Sequence, residues 1–244
     1  MKELRLFPEK WKILSGSMLK LIAVVAMLID HIGSHLMPQF INVIEIGGFS
    51  LTLQALMRLI GRIAFPIFAF LLVEGFLHTR NKIRYGLSLF FCALISEIPW
   101  DLVYSGHLLY HGQNVFFTLL LGYLALCGMQ WLSKKPVLPF LVLLAFALLT
   151  LVVRSDYGVY GYIFILLLYA LRRNEVFRPL TAFLLSRHWM VLVSFVPISL
   201  YNGKRGFIKS IGLKYAFYLF YPVHLFVIYL IKYQNLIFEN ILPW

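Results

Sequence analysis

The sequence predicts an all-α polytopic membrane protein, a transmembrane bundle of about eight helical spans in one domain covering 1–244. Three observations predict it. Of 244 residues, 61% are hydrophobic and only 13% charged, whereas a soluble domain is near half apolar and about a quarter charged. Mean hydropathy is +0.83, and the Leu, Ile, Val, Phe and Ala residues gather in near-continuous runs of about 20, the length that crosses a bilayer as a helix. The runs lack the period-two alternation of a membrane barrel, and lipid leaves helices or closed barrels as the only spanning structures.

The elements follow in order. Met1 to Ser17 is basic and partly aromatic; the first apolar run begins only after it, so no cleavable leader is expected. Span one runs from about Leu19 to Met37, and Pro38 to Ser50 is read as a loop with an interfacial segment. Span two is Leu56 to Leu77, span three Tyr85 to Tyr104, span four Val115 to Leu132 and span five Val137 to Val153. Span six, Tyr160 to Leu171, looks short; span seven is Leu180 to Leu200 and span eight Leu213 to Ile231. Cys92 and Cys127 lie inside apolar runs with no metal or disulfide spacing, so they read as packing residues and no metal is expected.

The net charge of +12 sits in the gaps between runs, as membrane orientation requires, so no nucleic-acid partner is expected; the lipid bilayer is the partner. Lys2, Arg5, Lys10 and Lys12, then Arg80, Lys82 and Arg84, then Lys134 and Lys135, then Arg172, Arg173 and Arg178 fall on one side. That side is expected to be cytoplasmic, in a multi-pass protein of the inner or plasma membrane with a cytoplasmic N-terminus. Lys204, Arg205 and Lys209 break the rule: counting spans puts them outside, unless the topology inverts near the end.

Ionisable groups inside spans are costly and usually face a polar cavity. Here they are Asp30, His31, Arg58, Arg62, Glu74, Glu97, Asp101, Arg187 and His224. Asp30, His31, Arg58, Arg62, Glu97 and Asp101 fall at similar depth, with Asn114, Asp156, Tyr157, Asn202, Lys204 and Arg205 placed nearby by the same span count; His224 is nearer mid-span. The convergence predicts a polar chamber open to the outer side. An acid beside an arginine equally serves as an inter-helix ion pair, and Arg58 and Glu74 are read as structural or interfacial. His31 has the chemistry of a general base if a carboxylate from another helix orients it. Arg62 suits a thioester carbonyl, a phosphate or a partner carboxylate. Tyr201-Asn202-Gly203-Lys204-Arg205-Gly206 combines flexible backbone with two cations, a phosphate- or carboxylate-binding composition.

The ordered strings LKLIAVVAMLIDHIG (19–33), RLIGRIAFPIFAFLLVEGFLHTRN (58–81), ALISEIPWDL (93–102), QNVFFTLLLG (113–122), DYGVYG (156–161), YNGKRG (201–206) and KYAFYLFYPVHL (214–225) resemble the TraX family, conjugative pilin N-acetylase-like membrane proteins. More distantly they are similar to the membrane acyltransferase superfamily, with its first-span His after an L-basic-x-x-A start and its last-span Tyr/Pro-His motif. The resemblance implies acyl transfer from cytoplasmic acetyl-CoA, with no metal, to an acceptor at or beyond the membrane: a peptide amine such as a pilin N-terminus, a sugar hydroxyl or a lipid head group. By the same resemblance His31 is the general base, with Asp30, Glu97 or Asp101 orienting it. Arg62 holds the donor or the developing oxyanion, and Asn202, Lys204, Arg205 and Lys214 attract the donor phosphates. His224 shares acid–base work or lines the acyl path, while Arg80, Lys82 and Arg84 guide the nucleotide end. Asn114, Asp156 and Tyr157 contact substrate. A cytoplasmic donor and an outward cluster meet only if the donor's arm threads inward to a deep site, or if the YNGKRG loop is cytoplasmic. Two readings from other classes stand beside this one: a proton-coupled transporter, for which no inverted repeat is visible, and a non-enzymatic assembly factor of an envelope appendage.

Overall fold

The computed structural model describes residues 5–38, 41–46, 49–186 and 188–234; Lys2 and Arg187 lie outside them. Each predicted span contains helix, and the fold class is the expected all-α bundle. Helix α1 covers Gly16–His35, opened by the Ser15 hydroxyl, which accepts from the Met18 N–H at 3.4 Å. A two-stranded hairpin follows, β1 Asn42–Ile46 antiparallel to β2 Phe49–Thr52. Then come α2 Leu53–Gly61, α3 Ala64–His78, α4 Lys82–Ser105, α5 Val115–Trp131, α6 Leu138–Val153 and α7 Gly158–Ala170. The chain closes with α8 Phe177–Ser186, α9 Met190–Ser199 and α10 Ile211–Lys232. Among the described residues, four segments are long and apolar enough to cross a bilayer: α1, α2 with α3, α4, and α10. The remaining apolar helices α5, α6, α7 and α9 are shorter.

Predicted span two is a broken helix. Pro66 lacks an amide hydrogen and its ring crowds the carbonyl four residues back, which belongs to Arg62. The chain turns at Arg62–Ile63 and restarts as α3. Helices α1 and α2 pack closely because Gly33 and Gly61 carry no side chain: a Cβ at Gly33 would lie 2.7 Å from Met57, and one at Gly61 would collide with Asp30. Small residues are the usual means of close helix approach in lipid.

Predicted span seven is corrected. It is two ten-residue helices, α8 and α9, each about 15 Å long and so half of a ~30 Å hydrocarbon core. They form a hairpin that returns to its own end. Arg178 in the first turn of α8 and Tyr201 just past α9 both face Phe70, at 5.7 and 5.5 Å, while Ser186 at the tip lies beside Tyr160 at the start of α7. Re-entrant backbone is tolerated at membrane depth when protein surrounds it; here α3 and α7 pack against the hairpin.

The hairpin moves the YNGKRG loop to the end that carries the chain's start. Leu14 N–H donates to the Leu200 carbonyl at 3.0 Å, Asn202 N–H to Leu14 at 2.9 Å, and Gly16 N–H to Lys204 at 2.8 Å. Lys204, Arg205 and Lys209 therefore join Lys82, whose ammonium bonds Gln130 near the end of α5, and Lys12, paired with Glu175 at 2.7 Å. This will be called the basal end. The distal end carries Gln113 bridged to Ser155, and Lys232 donating to Val103 O at 2.9 Å. Helix α10 thus runs parallel to α1.

The main core lies between α1, α3, α5, α7 and α9, with Phe76, Tyr123, Phe164 and Phe195 fully buried. A smaller distal cluster holds Met27, Trp100, Tyr221 and Leu225. Among its described residues α6 buries only Thr150 and leaves Phe140, Leu144, Leu148 and Val152 exposed. Such a continuous apolar surface on a protein is a lipid-facing one.

Candidate functional site

Helices α1 and α10 form the wall of a series of three cavities. On α1, Lys20, Val24, Met27 and His31 recur at i, i+4, i+7 and i+11, one helix face. On α10, Lys214, Phe217, Tyr218 and Tyr221 recur at i, i+3, i+4 and i+7, again one helix face. The basal cavity, about 470 Å³, is lined by Lys20, Arg84, Arg205 and Lys214 with Glu74 and Tyr201. The middle one, about 110 Å³, is an apolar neck of Val24, Phe68, Leu71, Phe116, Leu119 and Phe217. The distal chamber, about 310 Å³, is lined by Asp30, His31, Arg58, Arg62, Asp156 and four tyrosines, Tyr104, Tyr157, Tyr160 and Tyr221. Neck and basal cavity share Lys20, Leu71, Tyr85 and Tyr218; neck and chamber share Met27, Phe68, Val115 and Tyr221. Lys20 and His31 stand eleven residues apart on α1, about 16 Å along the axis.

In the chamber His31 is 8% exposed. Its Nδ1 lies 2.7 Å from His224 Nε2, with the rings parallel to 7° and centroids 5.0 Å apart. The centroid spacing exceeds the nitrogen spacing by about two ring radii, so the rings meet edge to edge in one plane. His224 Nδ1 lies 2.8 Å from the Phe220 carbonyl and must donate to it. His224 Nε2 is then an acceptor, His31 Nδ1 carries the proton, and His31 Nε2 keeps a lone pair. The expectation that a carboxylate orients His31 is corrected: His224 does so.

The other chamber groups arrive by separate causes. The α2–α3 break presents Arg62, and Arg58 sits one turn earlier with Nη1 4.0 Å from Asp30 Oδ2. Tyr157 stacks on Phe65 at 3.8 Å. Asp156, in the α6–α7 turn, is pushed up to about 6 by burial and then by Asp30, against the opposing pull of Arg62 and Arg58.

Three predicted chamber residues are elsewhere. Glu97 Oε2 accepts from the Asn114 side-chain amide at 2.5 Å and from its backbone N–H at 3.3 Å. Asn114 is the cap of α5, donating to Ala93 O at 2.9 Å and accepting from Phe116 N–H at 3.0 Å, so this pair fastens α4 to α5. Asp101 accepts from Leu109 N–H at 2.8 Å and holds the loop after α4, where Leu109 adopts a φ of 75°. None of the three lines the chamber.

The predicted anion-binding residues divide. Arg62 is distal. Arg205 and Lys214 line the basal cavity, whereas Asn202 faces a neighbouring basin and braces the loop, donating to Ile13 O and accepting from Lys204 N–H. Lys204 is exposed and contributes its carbonyl to Gly16. Lys20 was not assigned a role from the sequence. It stands within electrostatic range of Lys214 and Arg205, and the two ammonium groups flank Tyr218 at 5.9 and 5.7 Å. Its spacing from His31 on one helix face was the signal that reveals it.

Comparison with known proteins shows the family. The profile of the TraX protein family matches residues 15–232, which contain all three cavities. A curated relative, the probable fimbrial assembly protein FimC of serogroup H1 from Dichelobacter nodosus, is 32% identical over 245 aligned positions, covering 86% of this chain and 93% of the relative. No solved structure matches. The chain is a membrane protein and a member of the TraX family.

Proposed function

We propose that the protein is a membrane-bound acyltransferase that takes an acyl group, acetyl in the simplest case, from an acyl-CoA at the basal end and passes it to an amine or hydroxyl acceptor in the distal chamber. The observation that carries this reading is the continuity of cation-lined cavity, apolar neck and histidine-bearing chamber along α1 and α10. The basal end is then cytoplasmic, consistent with its lysines and arginines. Lys214 and Arg205, each within range of the Lys20 ammonium group, make with it three cations that suit a diphosphate. The distance to His31 matches the scale of an extended phosphopantetheine arm, and the neck keeps water from joining the two sides.

In the chamber His31 Nε2 accepts the proton of the acceptor N–H or O–H as the acceptor's lone pair attacks the thioester carbonyl. The new bond is acyl to nitrogen or oxygen; the carbon–sulfur bond breaks and the departing thiolate takes the proton back from His31. His224 stabilises the transient imidazolium through the Nδ1–H to Nε2 bond, and the Phe220 carbonyl holds His224 in the receiving tautomer. Arg58 and Arg62 place positive charge beside the tetrahedral oxyanion. Asp156 and Tyr157 face the acceptor.

The test is label transfer from radioactive acetyl-CoA to membranes or to host extract, with wild type against His31→Ala. Labelled acceptor with wild type alone supports the reading; equal labelling removes His31 from the mechanism. A second reading, a non-enzymatic assembly factor, is favoured by the name of the D. nodosus relative. It predicts appendage assembly that survives His31→Ala.

A further inference from the structure

Beside the basal cavity, sharing Glu74, Tyr201 and Gly203 with it, lies a polar basin of about 340 Å³ beneath the start of α8. Its acids are mostly spent. Glu9 pairs with Arg5 and Lys12, and Glu175 pairs with Lys12. Three guanidinium groups are left outside these pairs. Arg178 is 7% exposed, lies 5.7 Å over Phe70, and its Nε has no hydrogen-bond partner among the described residues. Arg172 spends one nitrogen on the Tyr169 carbonyl at 2.8 Å, and Arg173 is exposed and enters no ion pair among the described residues. Against them stands Glu74, so the basin carries an excess of about two positive charges, which matches a phosphate monoester near −2. A diphosphate bridge offers less charge per phosphorus. A buried guanidinium with an unmade bond is costly, and the fork geometry of arginine fits phosphate oxygens.

The divide between basin and cavity includes Gly203, with φ 73° and nothing within 4 Å of a Cβ placed there. A ligand can therefore lie across it, one phosphate group on each side. We propose that Arg172, Arg173 and Arg178 form a phosphomonoester site that receives the ribose 3′-phosphate of the donor nucleotide, while Lys20, Arg205 and Lys214 hold its diphosphate. The assignment rests on the acyl-CoA reading above and makes it more specific: the donor must carry a 3′-phosphate.

The experiment is calorimetric titration of the full-length protein in phosphatidylcholine nanodiscs with CoA and with 3′-dephospho-CoA. One charge-assisted contact of roughly 1.5–3 kcal/mol corresponds to about a tenfold or greater preference for CoA, and that preference is expected. Arg178→Gln should erase it without changing the affinity for dephospho-CoA. Arg173→Gln, at an exposed position that leaves the fold intact, should diminish it in the same way. Lys214→Gln should weaken both ligands together. Equal binding of the two ligands by wild type overturns the site, as does a preference that survives both arginine substitutions. Equal binding accompanied by an Arg173-dependent affinity for phosphatidic acid nanodiscs assigns the phosphate site to lipid and also overturns it. Binding of neither nucleotide sinks the acyl-CoA reading itself, and this assignment with it.

Discussion

His31 Nδ1 and His224 Nε2, 193 residues apart in sequence, are joined at 2.7 Å in a common ring plane. The pair ties α1 to α10 at the depth of the chamber and leaves His31 Nε2 as its free base. Replacing His224 by Phe keeps the ring volume but removes the acceptor. Turnover should fall about 10²-fold or more, within the usual range of an acid–base contribution, while donor affinity stays unchanged. Single-turnover transfer and equilibrium CoA binding separate the two quantities. A His224→Phe protein with full turnover would confine this pair to packing.

The neck gives a second prediction. Val24 faces it from α1. Val24→Phe fills much of its volume without touching the basal cations or His31. The variant should bind 3′,5′-ADP, the nucleotide end of the donor, as wild type does and transfer no acyl group. Transfer at the wild-type rate would mean that the donor reaches the chamber by some other route, and the continuity of cavities would lose its functional meaning.

Much of the bundle was legible because periodic apolar runs and basic gaps report directly on a bilayer. The runs near Tyr85–Tyr104 and Leu213–Ile231 differ from α4 and α10 by two or three residues at most. The re-entrant hairpin was not legible, because Leu180 to Leu200 has the length and hydropathy of a span and its break is a short polar interruption. The same misreading left the end of the YNGKRG loop open: counting spans put it outside, while Lys204, Arg205 and Lys209 argued for the other end. Within the site, side-chain depth identified Asp30, His31, Arg62 and Asp156, yet depth says nothing of direction around a helix. Glu97 and Asp101 share the chamber's level but face Asn114 and the Leu109 loop. The partner of His31 depended on how α10 packs on α1, a relationship no local pattern contains.

Gly61 bears on both stability and function. A Cβ there meets the Asp30 side chain, so Gly61→Ala must push α2 from α1 or turn Asp30 aside. Overpacking of this kind costs roughly 1–3 kcal/mol, to be read as a lower unfolding midpoint in detergent. Because α2 delivers Arg58 and Arg62, transfer activity should fall as well. Gly212, which has nothing within 4 Å of its Cβ position, supplies the control: Gly212→Ala should be neutral in both assays.

The Asp156 carboxyl gives a pH prediction with a definite sign. Its value in the folded protein is about 6, above the ordinary 3.8, because of burial and then the neighbouring Asp30, with Arg62 and Arg58 opposing. The folded state therefore holds this proton more tightly than the unfolded chain. Its contribution to stability is complete below the unfolded value and is lost as pH rises through about 6. The unfolding midpoint of Asp156→Asn should vary less than that of wild type from about pH 4 to about pH 7. Parallel curves would place the titration elsewhere.

The hairpin of α8 and α9 is tested by sidedness. If these two ten-residue helices return to the basal end, a cysteine at Lys209 must label from the same side as one at Lys134. A cysteine at His107, in the loop after α4, must label from the opposite side. The native thiols Cys92 and Cys127 are half-buried on α4 and α5 and are first replaced by alanine. An impermeant maleimide on sealed vesicles reads the result. Labelling of Lys209→Cys together with His107→Cys would restore a full seventh crossing. It would separate Arg205 and Lys214 from Lys20 by the thickness of the membrane, leaving no site for a donor's diphosphate. Labelling with Lys134→Cys keeps the three cations together at the mouth of the neck, as the backbone bonds from Leu14 and Gly16 to the YNGKRG loop require.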